Sequence, residues 1–390
     1  MISVADALDA LFALVEPLPT EAVPLRNANG RVLAADVVAQ RDQPPFAASA
    51  MDGYAVGQGD VAPGARLQVV GEAAAGHVWE GRIQPGQALR IFTGAPMPAG
   101  ADHVIIQENV TREGDQITLD DSANEKPNVR PAGVDFAAGY RMQAPRLLGP
   151  SDIALLAAMN VATVTVTKRP EVALIATGDE LVQPGEQPRD DQIITSNSYG
   201  LATLFESIGA RPLMLPIARD TQASLELAFD LAKGADLIVT IGGASVGDHD
   251  LVADVAAGLG MEQAFYKVAM RPGKPLMAGR MTGAAMIGLP GNPVSAMVCG
   301  YVFAAPMIRK MLGLGEAATP RELAPLAAPI AANGPREHYV RAHLGRDGVR
   351  VFEKQDSSLL TVLTHANCLV VRPPHDPQRD TGHLVDIIRL

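Results

Sequence analysis

Between residues 171 and 312 the chain alternates short apolar runs with helical periods, and that alternation leaves few folds open. Residues 171–177, 212–217, 236–240, 263–268 and 284–288 read as strands. Residues 199–208, 222–233, 251–259 and 293–312 read as helices. Strands that are apolar throughout are covered on both faces. Strands separated by helices of this length pair in parallel. The segment is therefore expected to form a doubly wound, mostly parallel α/β sheet. Ligands of such sheets sit at the carboxyl ends of the strands.

Four turns fall at those ends. The first is Ile-Gly-Gly-Ala-Ser-Val-Gly-Asp-His-Asp at 241–250, between a strand and a helix. Gly242, Gly243, Ser245 and Gly247 let backbone N–H groups approach an anion, and Asp248 and Asp250 suit a divalent cation beside it. A plain turn with aspartates capping the helix is the other reading. The second turn is Thr-Gly-Asp-Glu at 177–180, the third Arg219-Asp220, and the fourth Arg-Pro-Gly-Lys-Pro at 271–275, with Lys267 in the strand before it. Together they are expected to gather Glu180, Asp220, Asp250, Lys267, Arg271 and Lys274 around one crevice. The carboxylates suit a hard cation such as Mg²⁺, and the basic residues suit phosphate or another oxyanion. In Gly-Leu-Pro-Gly-Asn-Pro-Val-Ser (288–295), Asn292 and Pro293 fit a helix start, a pocket wall, or both.

The flanks differ. Val4, Ala7, Leu8, Leu11, Phe12 and Val15 give residues 1–20 one apolar helical face. Short alternating runs at 67–70, 88–91 and 103–107 suggest a β-rich segment ending near 145, followed by a helix at 153–159 capped by Ser151-Asp152. The two helices are expected to pack together. The tail carries short strands near 339–343, 349–353 and 383–388. The expected division is 1–40 with 145–169, then 41–144, 170–316 and 317–390. Asp52-Gly53 and the stretch around Thr93 read locally as turns. A net charge of −11 and 4% aromatic residues oppose nucleic-acid or anionic-membrane binding. Two distant cysteines offer no zinc spacing or disulfide framework. No signal peptide or membrane-length apolar run is visible, so the chain reads as cytoplasmic.

The strings SAMDGYA, RIFTGAPMPAGADHVI, TGDEL, GGASVGDHD, VAMRPGKP and GLPGNPVSA resemble, in this order, motifs of the MoeA family. These are the molybdopterin molybdenumtransferases, related to the E domain of gephyrin. The resemblance spans essentially the whole chain. It implies a MogA-like α/β domain, a β-rich domain, a small helical linker domain and a C-terminal β-barrel, assembled as a homodimer. It implies insertion of molybdate into adenylylated molybdopterin with Mg²⁺-dependent release of AMP. Asp52, Thr93, Glu180, Asp220, Asp250, Lys267 and Arg271 would be catalytic, with Glu180 and Asp250 on the metal. Arg130, Asp135, Gly242, Gly243, Ser245, Gly247, Lys274, Pro290, Pro293 and Ser358 would bind substrate. Arg271 stands where some members have Lys, and Arg336–Arg341 and Gln355–Ser358 resemble barrel motifs near the oxyanion site. The site would be shared, with the β-rich segment of one subunit facing the sheet domain of the other. Molybdopterin adenylyltransferase and recipient molybdoenzymes are implied partners. The adenylyltransferase activity itself would not need the N-terminal motifs or the tail. A gephyrin-like scaffold would not need the full set of crevice charges. Molybdate and tungstate are not separated by the sequence.

Overall fold

The computed structural model describes residues 1–122, 126–243, 251–281 and 283–390. Its central sheet has six strands in the order Arg211–Met214, Glu171–Ala176, Leu237–Ile241, Ala284–Leu289, Met277–Met281 and Glu262–Tyr266. The first four are parallel, and Met277–Met281 runs antiparallel to both its neighbours. The apolar runs of Glu171–Ala176 and Leu237–Ile241 are each used on both faces. Val172, Leu174, Leu237 and Val239 meet Leu201, Phe205, Phe303 and Met307 on one face. Ala173, Ile175 and Ile238 meet Leu225, Phe229, Val252 and Val255 on the other. Helices on both faces make the sheet doubly wound, as the alternation implies. The long helix continues from Pro293 to Met311, with a π-helical turn at Gly300–Ala304.

Two expectations fail here. Helix Val4–Phe12 does not pack with the helix near 153–159. Its apolar stripe enters the sheet core, and Lys310 Nζ donates to Phe12 O at 2.8 Å. The other helix spans Pro150–Ala158 and covers a separate core with Leu33, Val164 and Val166. That helix also starts earlier than Ile153, because Asp152 Oδ2 accepts Gly149 N–H at 2.9 Å and so anchors the preceding residue. Strands Thr20–Pro24, Thr163–Thr167, Val32–Leu33 and Arg146–Leu147 form a small sheet beside it.

The β-rich part is a six-stranded sheet in the order His103–Ile106, Gly53–Val56, Gln87–Ile91, Arg66–Ala73, Gln116–Leu119, Val110–Glu113. The expected Asp52-Gly53 turn is instead the entry to its second strand. A Cβ at Gly53 would lie 1.9 Å from the backbone oxygen of Ile105, so glycine is demanded by close strand approach. The tail sheet runs Glu337–Gly345, Cys368–Arg372, Leu384–Arg389, Glu322–Pro325, with Gly348–Val351 paired to the first strand. Met270–Arg271 joins its open edge in parallel, tying the central domain to the tail. Among the described residues no helix is long and apolar enough to cross a membrane.

Gly53→Ala tests the strand reading. The sole tryptophan, Trp79, packs in the same β-rich core and reports its unfolding by fluorescence. The variant should lose at least about 3 kcal/mol in urea titrations, a loss reserved for severe steric faults. An unchanged midpoint and slope would contradict the close approach.

Candidate active site

The parallel ladder carries past the strand ends into the turns. Thr177 N–H donates to Ile241 O at 3.0 Å, Gly178 N–H to Ala218 O at 3.0 Å, and Gly242 N–H to Leu289 O at 3.1 Å. Gly242 and Gly243 have φ of +94° and +70°, and a Cβ on Gly243 would sit 2.2 Å from Val252 Cγ2. Only glycine fits both demands. These turns wall a cavity of about 650 Å³ at the carboxyl ends of the strands. Glu180, Asp220, Gly242, Gly243, Pro290, Pro293 and Ser358 all line it. Seven residues expected at the site thus lie together in the fold. Glu180 and Asp220 are exposed within it.

The cavity wall is held by residues that the motif reading passed over. Arg219 Nη1 donates to the carbonyls of Gly178, Asp179 and Leu181 at 3.3, 3.1 and 3.0 Å, clamping the turn that bears Glu180. Asp220 and Asp179 then bond reciprocally through N–H and carboxylate, at 3.2 and 3.4 Å. Asn197 Nδ2 donates to Gly291 O at 2.7 Å across the opening. Arg219 adjoins Asp220, but its role depends on a turn forty residues away. The helix at Pro293 starts as expected, yet Asn292 does not cap it with its side chain. Asn292 Nδ2 donates to Ser357 Oγ at 3.1 Å, while Val294 N–H donates to Ser357 O at 3.0 Å. A carbonyl of the tail is the partner for the helix start.

The basic residues lie differently from the sequence expectation. From their connection the cavity takes Pro275, not Lys267, Arg271 or Lys274. Lys267 is not in the strand, which ends at Tyr266. Its φ of +71° turns the chain away, and its Nζ lies 4.7 Å from the Tyr266 ring centroid. Arg271 pairs with His338 on the tail sheet, is exposed, and has no ion-pair partner among the described residues. Burial, with Arg271 and three further arginines, depresses His338 to about 4, so the imidazole is neutral at ordinary pH. Ser245, Gly247, Asp248 and Asp250 lie outside the described residues.

Asp52, Thr93, Arg130 and Asp135 do not line the cavity. They belong to the β-rich side. Asp52 Oδ1 accepts Thr93 N–H at 2.7 Å and Thr93 Oγ1–H at 2.8 Å. Those bonds hold its carboxyl below the usual range. Arg130 and Asp135 line a second cleft of about 410 Å³ with Phe46, Val134 and Gly94, next to Thr93.

Three family models tile the chain: the MoeA N-terminal region (domains I and II) at 2–160, a probable molybdopterin-binding domain at 173–310, and the MoeA C-terminal region (domain IV) at 323–390. The molybdopterin molybdenumtransferase of a Nostoc species is 36% identical over 100% of this chain and 94% of its own length. That of Haemophilus influenzae is 33% identical over 95% and 94%. The chain belongs to the MoeA family. A crystal structure of the Pyrococcus horikoshii molybdopterin biosynthesis MoeA protein matches it with a TM-score of 0.85 at 28% identity, covering all of both chains. A second structure of the Pyrococcus protein gives 0.83 at 29% identity. The resemblance read from six motifs is thus borne out, as is the multidomain α/β architecture.

In this MoeA chain the cavity offers exposed carboxylates at one rim and strand-end backbone groups behind them. Among the described residues no group of three or more His, Cys, Asp or Glu side chains could hold a metal ion by itself. Hard oxygen donors from one or two carboxylates are nevertheless what Mg²⁺ takes from a protein when phosphates supply the rest.

The Arg219 clamp makes a prediction independent of activity. Arg219→Ala should speed amide hydrogen exchange at residues 178–182 by about tenfold to a hundredfold, from loss of charge-assisted bonds of roughly 1.5–3 kcal/mol. Exchange elsewhere in the sheet should hold steady. Equal protection in both proteins would remove Arg219 from the clamp.

Proposed function

We propose that this protein inserts molybdate into adenylylated molybdopterin and releases AMP, a late step of molybdenum cofactor biosynthesis. The observation that carries the reading is the cavity at the strand ends, where Glu180 and Asp220 face the Gly242-Gly243 turn. Its glycine turn leaves room for a phosphate to approach the backbone, and its carboxylates suit the cation that accompanies one. Glu180 and Asp220, with Asp250 from the same motif set, would hold Mg²⁺ on the phosphate bridge. The ion would supply charge neutralisation as the phosphate bond breaks. Gly242, Gly243, Ser245, Gly247, Pro290 and Pro293 would seat the nucleotide end. Lys267, Arg271, Lys274 and Ser358 would draw molybdate toward the dithiolene end, with Arg271 offering a planar fork where Lys offers a point charge.

The four-part division at 40/41, 144/145, 169/170 and 316/317 is part of this proposal, as is a homodimer. Asp52, Thr93, Arg130 and Asp135 would complete the cavity of a second copy. Supporting this, all four are exposed and none lines the cavity of its own chain. Exposed Phe46, Met51 and Val134 surround them.

The deciding assay supplies adenylylated molybdopterin, molybdate and Mg²⁺, and follows AMP release and formation of active cofactor. Glu180→Gln should lower the rate on the order of a hundredfold or more with the fold intact. A rate near that of the parent protein would reject Glu180 as a participant. Absence of AMP release from the parent protein would reject the function.

Subunit sharing is tested by mixing. Asp52→Ala and Glu180→Ala proteins, each inactive, should regain part of the activity together, because a mixed dimer holds one intact site. Exchange without recovery would put both residues in one subunit's site.

A further inference from the structure

Arg90 is absent from the catalytic and binding sets above, yet its guanidinium braces both halves of the Asp52–Thr93 pair. Strand register sets Arg90 directly across from Tyr54, and Ile91 across from Gly53. The guanidinium carbon lies 5.2 Å from the Tyr54 ring centroid and 4.7 Å from that of Phe92. A cation held by two rings has little freedom to swing. From that position Nη1 donates to Gly53 O at 3.2 Å, and Nη2 donates to Gln107 Oε1 at 2.7 Å. Gln107 in turn donates its backbone N–H to Asp52 O at 3.1 Å. Asp52 is thus tied to Arg90 through the residue after it and through the residue that bonds its own carbonyl. Phe92, under the guanidinium, immediately precedes Thr93, whose N–H and hydroxyl hold Asp52 Oδ1.

We infer that Arg90 is a positioning residue for the transfer reaction, fixing where the Asp52 carboxylate points and leaving its second oxygen free to act. The inference rests on the proposed role of Asp52 at the transfer site. It adds a residue that touches neither substrate nor metal. The arrangement separates two tasks. Thr93 takes one carboxylate oxygen with two donors, and Arg90 bonds neither oxygen but holds the backbone that follows it, directly at Gly53 O and through Gln107 at Asp52 O. An arginine fork suits that work, because one planar group reaches two acceptors while its faces meet two rings. Lysine keeps the charge but has no planar fork or stacking faces.

The test is a double-mutant cycle on kcat/KM for AMP release, with Arg90→Gln, Arg90→Lys, Asp52→Asn and the Arg90→Gln/Asp52→Asn protein. Arg90→Gln should lower kcat/KM by roughly a hundredfold, the scale of a small misplacement of a reacting group. The fall should lie in kcat, with KM for the nucleotide substrate little changed, since the nucleotide seat is elsewhere. Arg90→Lys should recover only part of it. In the Asp52→Asn background, Arg90→Gln should cost almost nothing further, because the two act as a unit. Trp79 fluorescence during urea unfolding separates the effect from loss of fold. Additive losses, or an Arg90→Gln protein as active as the parent, would overturn the inference while leaving Asp52 in place. A fully active Asp52→Asn protein would instead overturn the reading beneath it.

Discussion

The pairing of strand Leu237–Ile241 between Glu171–Ala176 and Ala284–Leu289 is the constraint on which the rest depends. All five residues of the middle strand are buried, so it needs a cover on each face and a neighbour on each edge. Meeting those needs brings in the helices, the N-terminal segment and the long helix from Pro293. Parallel register also brings Thr177, Gly242 and Pro290 to one end of the sheet. Backbone bonds from Thr177 to Ile241 and from Gly242 to Leu289 extend the ladder into the turns. The cavity is therefore a continuation of the sheet, and its wall inherits the sheet's order.

The tail takes part in this site through a short chain of bonds. Arg341 is almost wholly buried, and its Nε donates to Gln355 Oε1 at 3.2 Å and its Nη1 to Asp356 O at 2.8 Å. Burial lowers its pKa, and the nearby Asp356 carboxylate opposes that shift. The segment so held presents Ser357 O to the helix start at Val294 and Ser358 to the cavity. A buried guanidinium must find acceptors, and here the acceptors are the backbone that shapes the crevice. The tail is attached a second time where Met270–Arg271 adds to its sheet edge.

What the sequence makes legible follows from how local each signal is. Burial on both faces leaves a mark in Glu171–Ala176 and Leu237–Ile241, while the edge strand Arg211–Met214 is apolar but largely exposed, and all three agree with the structure within a few residues. Met277–Met281 leaves no such mark, since Gly279 and Arg280 interrupt its apolar run, and it turns a parallel sheet into a mixed one. Glu322–Pro325 is an edge strand with a proline, and Cys368–Arg372 ends in a buried arginine that pairs with Asp376. Neither reads as a strand by alternation. The docking of helix Val4–Phe12 is a tertiary choice. Its stripe announces burial but not the partner. For the site, the Gly-rich turns and Glu180 are visible because strand ends are where ligands bind. Lys267 and Arg271 depart from that rule, because a positive φ and a strand pairing with His338 carry their connection toward the tail.

Asp52 shows why family motifs add what local physics cannot. An aspartate before a glycine reads as a turn wherever it occurs. Here the glycine is required by the approach of Ile105, and the aspartate takes its geometry from Thr93, forty-one positions away. The pair is exposed and the Thr93 bonds hold its carboxyl below the usual range, so it carries charge to the surface of a chain already at net −11. Such a charge repels anions at range but is screened beyond a Debye length of about 8 Å at physiological salt. An anionic substrate is then governed by what it meets at contact distance. At that range the cavity presents the Gly242-Gly243 turn and the exposed carboxylates of Glu180 and Asp220, while the exposed guanidinium of Arg271 lies outside its lining. Among the described residues no ion pair joins Glu180, Asp220 or Arg271 to an opposite charge, so acids and base stay exposed and apart without neutralising one another.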